Sequence, residues 1–206
     1  MAPAAPWTLS HSGGYAALAQ GSAARRHACG DLRLGIDLEW HRPRDFTSLA
    51  DFAFSAEERV ALRGMSAARR AAHFYRLWVM KEALAKALDL PLLEALAHCT
   101  FTCHEGVWRG AVPCERPWAV FLYEPRAGLS LALAASTARP LAAPRVYEWP
   151  PGRPGTWPMQ RLSGAGAASG ERCAPPAMRQ DPTESATCDS AYSHPGPPVT
   201  ALRPDA

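Results

Sequence analysis

Apolar and polar positions in residues 7–140 follow patterns typical of a mixed α+β domain. The segment Ser66–Leu88 is rich in Ala, Leu, Arg and Lys and contains no Gly or Pro, so it predicts a long helix. Two shorter helices are predicted at Phe46–Asp51 and Ser55–Gly64. The serine that opens the second suits an N-cap, and Glu58, three residues later, completes a capping box.

Short segments between Gly and Pro signals predict the strands. Leu32–Glu39 (LRLGIDLE) is predicted to be a strand with polar residues at its end, whereas Tyr15–Gln20 fits either a short strand or a short helix after the Gly13-Gly14 turn. The strand candidates after the long helix are Cys99–His104, Val107–Trp108, Trp118–Tyr123 and Ser130–Ala135. A long helix packed on an antiparallel sheet, in the α+β class, is therefore expected.

The composition changes near residue 144. Twelve of the twenty prolines lie from Pro144 onward, together with Gly, Ser and Ala runs and no sustained apolar period. Such a segment cannot bury enough surface to offset the entropy of ordering it. Residues 144–206 are therefore predicted to be a mostly disordered, Pro-rich tail, although a frameshifted or read-through C-terminus would have the same composition.

Charge and hydropathy exclude several classes of protein. Lys plus Arg number 22 and Asp plus Glu 19, a net charge of +3 that is too balanced to indicate a nucleic-acid partner. No apolar run approaches the roughly 18 residues of a membrane-spanning helix, and the N-terminus lacks the pattern of a signal peptide. The six cysteines form no CxxC pair, so reduced thiols in a cytoplasmic protein are expected.

A zinc site is one alternative for part of the cysteines. Cys99, Cys103, His104 and Cys114 are the candidate ligands, and the first two have loosely suitable spacing. Structural zinc usually uses two close pairs, whereas these residues alternate along a predicted strand. Buried thiols, which are common in protein cores, are the favoured interpretation.

Two acidic residues of the GIDLE strand are the first candidates for chemistry. Side chains alternate between the faces of a strand, so Asp37 and Glu39 project to the same side. Neighbouring carboxylates repel each other, and a hard divalent cation such as Mg²⁺ removes that penalty. A solvated strand end is the alternative, and the two residues alone favour it.

One stripe of the long helix changes from apolar to charged. Residues four apart share a helix face, which aligns Phe74, Trp78, Glu82 and Lys86. Phe74 and Trp78 suit the core, and the charged end suggests a helix that enters a site. By itself, the Glu82–Lys86 pair favours a surface ion pair worth roughly a few tenths of a kcal/mol.

A third feature precedes both. The segment Ser10-His11-Ser12 is followed by two glycines, and hydroxyls, an imidazole and accessible backbone N–H groups suit a phosphate. This segment is common in loops, but here SHS, GIDLE and WVMKEALAK occur in that order. In this order they resemble the larger, surfactin-synthetase-type branch of the 4'-phosphopantetheinyl transferase superfamily. The resemblance covers about residues 7–135, including the spacer HRPRDF.

The resemblance implies a fold, a reaction and roles for individual residues. The fold would be one half of a pseudo-dimer of two similar halves. The reaction would be Mg²⁺-dependent transfer of the 4'-phosphopantetheine arm from coenzyme A to a serine of an acyl or peptidyl carrier protein. Asp37, Glu39 and Glu82 would ligate Mg²⁺, and Glu82 (or a metal-bound water) and Lys86 would be catalytic. Contacts to coenzyme A would come from Ser10, His11, Ser12, Arg42, Lys81 and Lys86.

The same resemblance implies the domain organisation. Residues 1–30 would be the remnant of an N-terminal half with its linker, and residues 31–140 the transferase-like domain. Members of the larger branch have a substantial half before the SHS segment, whereas nine residues precede Ser10 here. A non-catalytic remnant or binding subunit of the same fold is therefore the alternative to an active transferase, and self-association through the exposed half-cleft is a further expectation.

An unrelated α+β domain is the remaining alternative. Its basic residues would bind acidic partners through Arg63, Arg69, Arg70 and Arg76. In the transferase interpretation these arginines would instead face the acidic carrier protein. If the domain were unrelated, the order of the three motifs would be a coincidence.

Overall fold

A long helix packed on an antiparallel sheet forms the centre of the fold. The computed structural model describes residues 5–21, 31–138, 141, 143–147, 157 and 159–164. All of these residues belong to one compact unit, Met1–Cys173. The predicted α+β class is confirmed.

The helices of the described residues are α1 (Phe46–Ala53), α2 (Ala56–Arg63), α3 (Ala67–Leu88) and α4 (Leu92–His98). The predicted capping box of α2 is confirmed, because Ser55 and Glu58 each accept a hydrogen bond from the other's backbone N–H. The C-cap of α3 is Asp89, whose left-handed backbone (φ 57°) is more usual for glycine. None of the described helices is long and apolar enough to cross a membrane.

The strands of the described residues form one larger sheet and two hairpins. They are β1 (Trp7–Ser12), β2 (Tyr15–Gln20), β3 (Arg33–Trp40), β4 (Thr100–His104), β5 (Val107–Ala111), β6 (Trp118–Arg126), β7 (Leu129–Ser136) and β8 (Met159–Gly164). The order β3-β7-β6-β8 makes an antiparallel sheet, and β1–β2 and β4–β5 are the hairpins. The segment that fitted either a strand or a helix is therefore the strand β2.

Strand β8 corrects part of the prediction for the tail. It pairs antiparallel with β6, from Trp118↔Gly164 to Tyr123↔Met159, and buries Leu162 in the main core. Leu162 is the one buried side chain of β8, so the segment has no apolar period of its own. It forms a strand because it pairs with a strand that is distant in sequence. The predicted tail beyond residue 164 lies outside the described residues.

Strand β3 carries alternate side chains to the two faces of the sheet. Its even-numbered residues Ile36 and Leu38 join a core on the face away from α3. Gly35 lies directly under α3, where a Cβ would clash with the Ala83 carbonyl oxygen and lie 2.6 Å from the Ala87 nitrogen. The glycine thus permits close contact between β3 and α3, and it places the neighbouring odd-numbered carboxylates beside that helix.

Candidate active site

Lys86 joins two acidic side chains where α3 crosses β3. Its Nζ lies 2.8 Å from Asp37 Oδ1 and 3.6 Å from Glu82 Oε2, and it also donates to the Ile36 carbonyl oxygen at 3.0 Å. Glu82 and Lys86 share one face of the helix because they are four residues apart. The structure therefore brings Asp37, Glu82 and Lys86 together, although Asp37 and Lys86 are 49 residues apart in sequence.

The two oxygens of Asp37 have different surroundings. Oδ1 accepts hydrogen bonds from Ser10 Oγ at 3.1 Å and from Lys86 Nζ at 2.8 Å. Oδ2 is buried and accepts from no donor in the described part of the chain. A buried carboxylate oxygen without a donor is unfavourable, because it has lost water and gained no partner. Asp37 is therefore held through Oδ1, while its buried Oδ2 lacks a donor among the described residues.

Negative charge accumulates in this partly dehydrated space. Burial and, after it, the nearby charge of Asp37 raise the pKa of Glu82 to about 7, against the opposing effect of Lys86. Burial also raises the pKa of Glu39, while the Ser12 hydroxyl lowers it. Both shifts show that the ionised carboxylates are costly in the metal-free protein. A bound cation would remove that cost.

Strand β1 lies beside β3 and contacts both of its carboxylates. Ser10 Oγ donates to Asp37 Oδ1, and Ser12 Oγ donates to Glu39 Oε2 at 2.9 Å. The described residues of the predicted N-terminal remnant therefore pack on the same domain as the carboxylates.

Comparison with known proteins gives a family for part of the chain. Residues 33–116 match the family model described as the 4'-phosphopantetheinyl transferase superfamily. The chain is also 37% identical over 146 residues to the 4'-phosphopantetheinyl transferase psf-1 of Bacillus pumilus. That alignment covers 70% of this chain and 58% of the relative, so the chain spans less than two thirds of the relative's length.

Residues 33–116 are therefore similar to the 4'-phosphopantetheinyl transferase superfamily. The resemblance predicted from SHS, GIDLE and WVMKEALAK is therefore confirmed. The matched segment begins at β3 and includes Asp37, Glu39, Glu82 and Lys86.

One residue of the transferase motif lies away from the carboxylates. Lys81 is completely buried, and its Nζ donates to Glu58 Oε2 at 2.7 Å and to the Leu96 carbonyl oxygen at 2.6 Å. Consecutive helix residues point about 100° apart, so Glu82 faces β3 while Lys81 faces α2 and α4. The prediction that Lys81 contacts coenzyme A is wrong for this structure, because no part of its side chain is exposed.

Arg42 lies just beyond β3 in a backbone clamp that the sequence did not suggest. Tyr75 Oη accepts from the Arg42 N–H at 3.0 Å and donates to the Arg42 carbonyl oxygen at 3.1 Å. The imidazole of His41 stacks on the Tyr75 ring, with 4.4 Å between their centroids. Tyr75 is seven residues, about two helical turns, before Glu82. This spacing in the sequence indicates that the two side chains share a helix face.

Two arginine charges lie near the far end of the site. The side chain of Arg42 is exposed, and the charges of Arg44 and Arg42 both act to lower the pKa of Glu39. Lys86 lies at the Asp37 end. The domain therefore has cationic groups near both Asp37 and Glu39, and Arg44 was not among the predicted residues.

His11 faces away from its two serine neighbours. Alternate residues of β1 are exposed, and His11 belongs to the exposed set with Trp7 and Leu9. The structure does not bring His11 to the carboxylates, because a strand sends adjacent side chains to opposite faces. Its predicted contact with coenzyme A stays a prediction.

The cysteines and arginines of the alternative interpretations have other partners. Cys99 is buried in the core and burial raises the pKa of its thiol to about 11, while Cys103 and Cys114 pack against that core. Within the described ranges, no group of three or more His, Cys, Asp or Glu side chains is already arranged to hold a metal ion. Three of the four basic residues are also engaged: Arg63 pairs with Asp51, Arg76 pairs with Glu124, and Arg70 donates to two backbone carbonyls.

Proposed function

We propose that this domain transfers 4'-phosphopantetheine from coenzyme A to a serine of an acyl or peptidyl carrier protein, in the cytoplasm and with Mg²⁺. The proposal is carried by one observation. In a chain similar to this superfamily, Asp37 and Glu82 meet beside a lysine, and a buried oxygen of Asp37 has no donor among the described residues. A divalent cation bound here would neutralise the negative charge of the carboxylates and of an anionic diphosphate.

The carboxylates repel one another, and they are suitable ligands for Mg²⁺. Mg²⁺ prefers oxygen ligands and is usually bound through one or two carboxylates together with substrate phosphates. Asp37, Glu39 and Glu82 supply such oxygens, and the buried Oδ2 of Asp37 has no donor among the described residues. When bound, Mg²⁺ would supply Lewis-acid neutralisation of the diphosphate charge.

The chain's own residues would orient the substrates and move the proton. The serine oxygen of the carrier forms a bond to the β-phosphorus of coenzyme A, and the bond from that phosphorus to the bridging oxygen breaks. Adenosine 3',5'-bisphosphate leaves with the bonding electrons. The serine proton passes to Glu82 or to water, and the ammonium of Lys86 offsets charge that grows on the phosphate oxygens.

A transfer assay with the full chain tests this function. The protein is incubated with coenzyme A, Mg²⁺ and an apo acyl or peptidyl carrier, and the intact mass of the carrier is measured. We expect the carrier to gain one phosphopantetheine group, and to gain nothing when the metal is chelated. A full-length transferase of the superfamily is the positive control for the carrier.

Two outcomes would count against transfer. If the control modifies the carrier and this chain does not, the transferase proposal is rejected. If calorimetry then shows coenzyme A binding without turnover, the alternative of a non-catalytic binding subunit is supported.

Self-association is also expected, and the outer face of the β1–β2 hairpin is the surface that we propose for it. Trp7, Leu9 and Leu18 are 66%, 51% and 63% exposed, and Leu9 faces Leu18 in the strand register. A contiguous apolar patch favours association.

Light scattering after size exclusion should give at least a dimer, and Leu18→Glu should shift it toward monomer, unlike the matched control Val60→Glu on α2. A wild-type monomer at high concentration would contradict this.

A further inference from the structure

Two serine hydroxyls of β1 each connect a backbone N–H of β3 to a carboxylate of β3. Ser10 Oγ accepts from the Leu38 N–H at 3.2 Å and donates to Asp37 Oδ1 at 3.1 Å. Ser12 Oγ accepts from the Trp40 N–H at 3.1 Å and donates to Glu39 Oε2 at 2.9 Å. The same bridge is therefore repeated two residues further along both strands.

The position of β3 in the sheet explains why the serines are bound in this way. One edge of β3 pairs along its whole length with β7, from Arg33↔Ser136 to Trp40↔Leu129. On the other edge, the described hydrogen bonds to β1 run through serine side chains, while the backbone of β1 pairs with β2. Since side chains alternate in a strand, two serines separated by one residue both face β3.

The chemistry of the hydroxyl fixes the direction of each bridge. A serine hydroxyl has one proton and two acceptor lone pairs. Because Ser10 and Ser12 each accept a backbone N–H, the single hydroxyl proton is left for the carboxylate. Each serine is thus an oriented donor to an acid, and hydrogen bonds to charged groups are among the stronger ones in proteins.

The consequence for Asp37 is a choice between its two oxygens. Ser10 and Lys86 together occupy Oδ1, and the buried Oδ2 is left without a donor in the described residues. Rotating the carboxylate would break two hydrogen bonds. The pair of donors therefore fixes the rotamer of Asp37 and determines which of its two oxygens is left without a donor.

Contacts at the hairpin turn hold β1 in the register that this bridge needs. A Cβ at Gly13 would clash with the side chain of Trp40, so the turn lies directly against that residue. The ring of Tyr15 stacks on Trp40, with centroids 5.5 Å apart. A slip of one residue would replace both serines by their outward-facing neighbours, including His11.

We propose that Ser10 and Ser12 are positioning residues, which hold Asp37 and Glu39 in the orientation that binds the divalent cation, instead of contacts to coenzyme A. The inference rests on the proposed metal-dependent function. It replaces the expectation that the SHS segment holds a phosphate through its hydroxyls. Partners that orient metal ligands typically change metal affinity by about 10- to 100-fold when they are removed.

The test measures metal binding apart from activity. Mn²⁺, used in place of Mg²⁺, is titrated into the full chain without coenzyme A and followed by electron paramagnetic resonance. We expect Ser10→Ala and Ser12→Ala each to weaken Mn²⁺ binding about tenfold. Ser10→Thr, which keeps the hydroxyl, should bind nearly as well as the wild type, and Thr8→Ala in the same strand is the matched control.

Two further readouts separate positioning from general stability. Mn²⁺ binding is compared well below the melting temperature of each metal-free variant, so that hydrogen bonds lost between β1 and β3 do not affect it through unfolding. The KM for Mg²⁺ in the transfer assay should rise with kcat at saturating Mg²⁺ unchanged. If an alanine variant does not fold, Ser10→Cys keeps the size but supplies only a weak donor, and it should show the same loss of Mn²⁺ affinity.

The results that overturn the inference are distinct from those that overturn the function. Serine variants that bind Mn²⁺ like the wild type but bind coenzyme A less tightly would show that the hydroxyls contact the substrate. If the wild type transfers the arm and binds Mn²⁺, and the serine variants bind Mn²⁺ equally well, the positioning role is refuted while the proposed function stands. A wild-type protein that binds no Mn²⁺ would refute the metal site itself and, with it, this role of the serines.

Discussion

Glu82→Gln is expected to abolish transfer and, at the same time, to stabilise the metal-free protein. Transfer should fall by about 10³-fold or more, because the change removes a metal ligand and a candidate base. Stability should rise because the ionised Glu82 is costly, as burial and then the charge of Asp37 raise its pKa to about 7. A gain in stability together with a loss of activity is typical of a residue kept for function.

The stabilisation should depend on pH in one direction. A raised pKa means that the folded state disfavours the ionised form, so the wild-type protein carries the full penalty above pH 7. As the pH falls from 7 toward the ordinary value of 4.5, Glu82 takes up a proton in the folded state and the penalty disappears. Glutamine should therefore stabilise by about 1–3 kcal/mol at pH 8, and most of that gain should be lost near pH 5.

Urea unfolding without divalent cations, at both pH values, measures this difference. Glu115→Gln is the matched control, because Glu115 is an exposed glutamate outside the site and its change should alter neither stability nor transfer. A Glu82→Gln variant that is less stable than the wild type at pH 8, or that still transfers the arm, would show that Glu82 is not part of a strained metal site.

Lys81→Met is expected to cost about 3–5 kcal/mol of unfolding free energy, a large part of the roughly 5–15 kcal/mol typical of a domain. Lys81 and Glu58 form an ion pair in which both side chains are completely buried. Glu58 also accepts from the backbone N–H groups of Ser55 and Phe101. Removing the lysine leaves a buried carboxylate without its cation, at the point where α2, α3 and β4 meet.

The other lysine of the motif is the matched comparison. Lys86 is partly exposed, and Lys86→Met should lose transfer while keeping most of the stability. Adding Glu58→Gln to Lys81→Met should restore part of the lost stability, because the unpaired charge is removed. A Lys81→Met variant with wild-type stability and weak coenzyme A binding would contradict the buried role and support the original motif assignment.

These two lysines also show how far the sequence determines the site. The periodicity of the long helix correctly placed Glu82 and Lys86 on one face, and the GIDLE strand correctly placed Asp37 and Glu39 on another element beside it. A linear motif does not reveal which side of the helix each residue faces in the folded chain. Lys81 was therefore assigned to the same site as its neighbour, although its helix face packs against α2 and α4.

Long-range pairing explains the other differences. The alternation of Ser10 and Ser12 was visible, but their partners lie 27 residues away in β3 and depend on the register of the hairpin. Strand β8 has a single buried side chain and exists because β6 offers it an edge. By contrast, Gly35 had a local signal, since a glycine within a strand often marks close backbone approach.

The most direct test of the account is whether Asp37, Glu39 and Glu82 share one divalent cation. Mn²⁺ binding to the full chain should be measured by electron paramagnetic resonance for the wild type and for Asp37→Asn, Glu39→Gln and Glu82→Gln, with Glu115→Gln as the control. We predict one Mn²⁺ per wild-type and control chain, and strongly weakened binding in each of the other three variants. Binding of Mn²⁺ that all three variants retain, or no binding by a folded wild-type protein, would contradict the account.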